Sequence, residues 1–207
     1  MIQDPRHKNV TFDATSVGAY KADYATRLQA ALASVSDVEL EKACEALTMA
    51  AKDGRKIYVA GNGGSAAIAE HLCCDWTKGT YCEGHETIVA QSLSSNVALY
   101  SAIANDYSFE VVFSTQIKFF GKPGDVLVAI SSSGNSPNIV KAVEAAKAKN
   151  LFVVGFSGFG GGALAKISDA SLYVKIDNYG IVEDAHQALM HILAQYVAFQ
   201  RDQSPRA

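Results

Sequence analysis

The stretch "VAGNGGSAAIAEHLCCDWTKG", Val59 to Gly79, decides how the rest of the chain is read. It passes from an apolar strand, begun by "KIYVA" at Lys56, through a glycine turn into a helix. A continuous apolar run that ends in glycines and turns helical opens a β–α unit of a parallel sheet, whose strands are covered on both faces. The alternation returns downstream. "ETIVA" (86–90) precedes "SSNVALYSAIA", "DVLVAI" (125–130) precedes "SPNIVKAVEAAKAK", "LFVVGF" (151–156) precedes a glycine-rich turn, and "SLYVKI" (171–176) precedes a last helix from about Ile181 to Gln200. The pattern predicts an α/β fold: a doubly wound, five-stranded parallel sheet flanked by helices, flavodoxin-like in its winding.

Upstream, Val17 to Lys52 reads as a helical pair broken near "SVSD", where Ser36 or Asp37 can cap a second helix starting at Val38. "FEVVFSTQIKFF" (109–120) reads as a further helix. The early pair has no strand of its own, so its apolar face must be buried on the sheet or against another subunit. No linker divides the chain, and residues 1–207 are read as one domain, with the helical pair at about 16–52 and the α/β core at about 55–200.

A net charge of -3 with scattered lysines and arginines offers no basic stripe, which excludes nucleic acid as the expected partner. No segment approaches the roughly 18 continuous apolar residues of a membrane span. The start, "MIQDPRHKNVTFD", lacks the apolar centre of a signal peptide, so a cytoplasmic protein with no membrane partner is expected. Cys44, Cys73, Cys74 and Cys82 lack CxxC spacing and are read as small buried thiols.

Two turns suit an anion. "GNGGS" (Gly61 to Ser65) joins a strand to a helix, where free backbone N–H groups and the positive helix end converge; it serves equally as a tight turn. It has neither dinucleotide-fingerprint nor P-loop spacing. "AISSSGNSPN" (Ala129 to Asn138) offers the hydroxyls of Ser131, Ser132, Ser133 and Ser136 at a helix start. Four hydroxyls in six positions exceed what capping requires and match the acceptor oxygens of a phosphate monoester.

With "ANDYSFE" between them, these motifs resemble the sugar isomerase (SIS) domain, and within it the phosphoheptose isomerase group, over nearly the whole chain. The resemblance implies a sugar-phosphate substrate, a homotetramer with active sites between subunits, and an aldose–ketose exchange. The exchange would convert sedoheptulose 7-phosphate to D-glycero-D-manno-heptose 7-phosphate through an enediol. The product would supply heptose for lipopolysaccharide, capsule or other glycans. Other sugar phosphates, or a non-catalytic sugar-phosphate sensor or scaffold, are the alternative readings.

His71 and Asp75, four apart, share one helix face. On the last helix Glu183 and His191, eight apart, share one half, while His186 is turned away from His191. Imidazoles and carboxylates so grouped can shuttle protons, and they are also suitable ligands for zinc. The resemblance puts the family's catalytic carboxylate and histidine on Asp75 and His191 and its metal ligands on His71, Asp75, Glu183 and His191. Substrate would be met by Asn62, Gly63, Gly64 and Ser65 at the helix start, by Asn96 and Glu183, and by the four serines as the phosphate site. The helix bearing His71 is expected to run from Ser65 to about Thr77. Three positions depart from the family pattern: Asp75 stands for a glutamate, Glu183 for a glutamine and Asn96 for an aspartate. The first shortens the carboxylate's reach by roughly 1.5 Å; the second adds a charge that should strengthen metal binding. An arginine usual after the catalytic glutamate is absent, and Lys78 is the nearest cation.

Overall fold

A computed structural model describes residues 12–203; most of the amino-terminal stretch quoted above lies outside the described residues. Five parallel strands form one sheet: β1 (Lys56–Gly61), β2 (Val89–Ser92), β3 (Val126–Ser131), β4 (Phe152–Ser157) and β5 (Ala170–Tyr173), in the order β2-β1-β3-β4-β5. This is the expected doubly wound arrangement. Two strands differ from their sequence-based bounds. β2 begins at Val89 rather than Glu86, and β5 ends at Tyr173, short of Ile176. Both are edge strands, so a partner on one side only fixes their ladder and apolar composition does not mark its ends.

The strands alternate across two apolar layers. Ile57, Val59, Val126, Val128 and Ile130 face one layer, while Tyr58, Ala60, Leu127 and Ala129 face the other. The first layer is roofed by α2 (Asp37–Lys52), α3 (Gly64–Cys74) and α8 (Tyr179–Gln203), with α1 (Val17–Ala33) packed along α8. The second is roofed by α4 (Val97–Asp106), α5 (Val112–Phe120) and α6 (Pro137–Ala148), with the short α7 (Leu164–Ile167) at its edge. Ser16 caps α1 by accepting the Ala19 N–H at 3.0 Å, and Ser36 occupies the N-cap of α2. The segment 109–120 is helical as expected, entered through a 3-10 turn at Phe109–Val111.

Of the early helical pair, α2 finds its burial on the chain itself, while α1 buries Ala31 and leaves Val17 and Tyr20 exposed. Ala43, Cys44, Leu47 and Ala50 of α2 enter the core against the sheet, and Tyr24 of α1 donates its hydroxyl to Asp184 of α8 at 2.6 Å. Among the described residues, no helix is long and apolar enough to cross a membrane. The four cysteines are free; Cys44 alone among them is buried and Cys74 is exposed, which corrects the reading of all four as buried thiols.

Candidate active site

The sheet order reverses between β1 and β3, the place where a doubly wound sheet opens a crevice at the carboxyl ends of its strands. Both anion-type turns emerge there, because Gly61 of β1 pairs with Ile130 of β3 where each turn begins. Across the crevice Asn62 and Asn138 exchange two amide hydrogen bonds, each 2.9 Å. This reciprocal pair locks the first turn to the start of α6.

No side chain caps either helix. α3 starts after Gly63, at φ +55, and the N-cap of α6, Ser136, makes no side-chain bond to the helix. The Ser136 hydroxyl instead pairs with that of Ser131 at 3.1 Å, and Ser133 accepts the Asn135 N–H at 3.3 Å. The Ile139 N–H donates to the Ser136 carbonyl at 3.0 Å rather than to a serine hydroxyl, and Ser132 lies buried in the same turn. Gly134, at φ +66, packs so closely on Gly161 that a Cβ would strike the Gly161 carbonyl, and Gly158 N–H donates to Ser132 carbonyl at 2.8 Å. The glycine-rich loop after β4 therefore braces the serine turn.

The helix carrying His71 is shorter than expected. α3 stops at Cys74 and continues as a π turn, Asp75–Gly79. The buried Trp76 indole within it donates to the Met190 carbonyl of α8 at 3.1 Å, pinning the turn beside His191. As a result one Asp75 oxygen, Oδ2, lies 3.4 Å from His71 Nε2 and 3.0 Å from His191 Nδ1. The two rings meet edge to face at 5.1 Å between centroids. Among the described residues His71, Asp75 and His191 form a set whose ligand atoms all fall within 4.8 Å, a donor set that suits zinc. Beside it an open cleft of about 460 Å³ is lined by Asp75, His191, Gln195 and Phe199.

Glu183 does not join this cluster. Its carboxylate lies against Gly64, within 2.5 Å of where a Cβ there would stand, at the opposite end of α3. Burial pushes the Glu183 carboxyl pKa up, and the neighbouring Asp184 charge adds to the rise. The eight residues between Glu183 and His191 separate the two by roughly 12 Å along the axis of α8. Asn96 caps α4, its Oδ1 accepting the Leu99 N–H at 3.0 Å. Ser65 is buried below the first turn, whereas Gly63 and Gly64 are exposed on it. His186 is fully buried on the far side of α8 from the cluster, its Nε2 3.2 Å from the Ser157 carbonyl.

Sequence reading missed Gln187. Its amide Nε2 lies 2.8 Å from His71 Nδ1 and 3.2 Å from His191 Nε2, so it touches both rings on the edges away from Asp75. The signal was available: Gln187 sits four residues before His191 and four after Glu183 on one stripe of α8.

A sequence model of the SIS domain matches residues 19–158. The phosphoheptose isomerase of Rhodospirillum rubrum is 38% identical over 158 residues, 76% of this chain and 84% of its own length. The solved phosphoheptose isomerase of Neisseria gonorrhoeae superposes with a TM-score of 0.80 at 32% identity, covering 87% of this chain and 96% of the other. That of Francisella tularensis gives 0.81 at 27% identity, covering 88% and 96%. The chain belongs to the SIS domain family and, within it, to the phosphoheptose isomerases.

Proposed function

We propose that the protein interconverts sedoheptulose 7-phosphate and D-glycero-D-manno-heptose 7-phosphate, an aldose–ketose isomerisation between C1 and C2. The observation that carries this reading is the single Asp75 carboxylate oxygen held against both His71 and His191, in a chain whose relatives are named phosphoheptose isomerases.

The phosphate is bound in the crevice by Ser131, Ser132, Ser133 and Ser136 at the positive N-terminal end of α6, and the first turn, Asn62 to Ser65, contacts the sugar. Asp75 takes the proton from C1 of the ketose to give the enediol, and the same proton is returned at C2. The accompanying proton passes between the C2 and C1 oxygens beside His191. The shorter aspartate serves because the π turn sets its carboxylate directly between the histidines. Zinc held by His71, Asp75 and His191 would supply Lewis-acid polarisation of the substrate carbonyl. Glu183, at the Gly64 end of α3, is assigned to the sugar rather than to the metal.

The chain acts as one domain and assembles as a homotetramer in the cytoplasm, making heptose for surface glycans. Support for assembly comes from α8, where Ile192, Tyr196 and Phe199 are 44%, 48% and 58% exposed next to the cluster, an apolar rim suited to a second copy.

The test is turnover of sedoheptulose 7-phosphate by purified protein, metal-stripped and then zinc-replenished, with product identified by NMR. Product formed only with zinc is the expected result. No product in either state, with the sugar phosphate still bound, overturns the reading in favour of a different sugar phosphate.

A further inference from the structure

Asp75, His71, Gln187 and His191 close a four-membered ring of contacts. We infer that Gln187 is the positioning residue that holds both histidine rings, and that its amide turns over when a metal ion enters the cluster. The inference rests on the proposed metal role of His71, Asp75 and His191.

With Asp75 ionised and both imidazoles neutral, the contacts fit one proton arrangement without metal. An ionised carboxylate only accepts, so the nitrogens beside Asp75 Oδ2, His71 Nε2 and His191 Nδ1, carry the ring protons. Each neutral imidazole then turns a lone pair to its other side. Those lone pairs, on His71 Nδ1 and His191 Nε2, both meet the Gln187 NH2 group, which has two hydrogens to give. Every donor has an acceptor.

A metal ion shared with Asp75 needs lone pairs on the nitrogens that face Asp75. Both ring protons must then sit on the nitrogens that face Gln187, a change of tautomer in each ring that leaves its proton count the same. The NH2 group would now oppose two N–H groups. A half-turn of the amide presents Oε1 instead, whose two lone pairs accept from both rings. Metal-bound histidines are usually held in this way through the second nitrogen, and loss of such a partner typically costs about 10- to 100-fold in metal affinity. Glutamine can serve both states. Leucine, of similar shape, serves neither, and glutamate serves only the metal-bound one.

The experiment measures zinc binding to the metal-stripped protein by calorimetry, for the unaltered chain, Gln187→Leu and Gln187→Glu. Histidine tautomers of the unaltered chain are read by long-range proton–nitrogen NMR before and after zinc. Expected are an affinity loss of about 10- to 100-fold in Gln187→Leu, recovery in Gln187→Glu, and a switch of the ring proton from Nε2 to Nδ1 in His71 and from Nδ1 to Nε2 in His191. Unchanged tautomers on zinc binding overturn the inference, even if Gln187→Leu fails to fold. Gln187→Leu binding zinc as tightly as the unaltered chain, or Gln187→Glu binding as weakly as a folded Gln187→Leu, also overturns it. If the unaltered chain binds no zinc, the metal reading itself fails and takes the inference with it, a result distinct from binding that ignores Gln187.

Discussion

Asp75 Oδ2 lies 3.0 Å from His191 Nδ1, and no other carboxylate among the described residues reaches the two-histidine cluster. Asp75→Asn keeps the shape and removes the charge, and His191→Ala removes the imidazole. Each is expected to lower kcat by at least about 100-fold, the contribution of a positioned acid or base. Steady-state kinetics with circular dichroism checks this; a folded variant with near-native kcat removes that residue from the chemistry.

The serine turn should act on binding more than on chemistry. Ser136→Ala deletes a hydroxyl that does not cap its helix, so α6 should persist. A lost hydrogen bond to a charged phosphate corresponds to about 1.5–3 kcal/mol, or roughly a tenfold or greater rise in KM with kcat little changed. An unchanged KM would place the phosphate elsewhere.

Glu183→Gln is expected to leave zinc affinity as it is, because the Glu183 carboxylate lies by Gly64 and outside the cluster. Calorimetry on the metal-stripped variant decides it. A marked weakening would show that Glu183 reaches a metal after all, as a ligand lent by another subunit would.

Asn62 and Asn138 should be thermodynamically coupled. Asn138 is buried, and removing either amide strands the other without its two bonds. A double-mutant cycle of Asn62→Ala and Asn138→Ala, read by urea unfolding, is expected to give a coupling of about 1–3 kcal/mol. Simple additivity would mean that the pair does not hold the two turns together.

His186 should make the fold acid-sensitive. Burial depresses its pKa from 6.5 to about 4, only partly offset by the hydrogen bond with the Ser157 carbonyl. Between those values the unfolded chain binds a proton that the folded chain does not, so stability is full above pH 6.5 and falls as pH drops toward 4. The loss is on the order of 3 kcal/mol at 1.36 kcal/mol per pKa unit. His186→Phe should flatten the curve of unfolding free energy against pH over that interval, and an equally steep curve would assign the acid sensitivity to other groups.

The layered fold was legible because strand composition and glycine punctuation are local properties. "KIYVA" and "DVLVAI" are apolar throughout, as strands covered on both faces must be, and the structure places them as the central neighbours β1 and β3. β2 and β5 were displaced or shortened at the sheet edges, where half the ladder is missing and composition constrains less. The end of α3 was also misplaced: nothing in "CCDWTKG" marks where an α turn widens to a π turn, which here accompanies the anchoring of Trp76 on α8.

The sequence by itself determined the strands, the two strand-to-helix turns and the approach of His71 to Asp75, since all of these depend on neighbours a few residues apart. The tertiary structure alone decided which part of α8 faces them. Helical periodicity gives the side of a helix but not its axial position against another helix, so Glu183 and His191 looked equivalent until α3 and α8 were docked. Docking set Glu183 beside Gly64 and Gln187 between the histidines, and it joined Asn62 to Asn138 across 76 residues of chain.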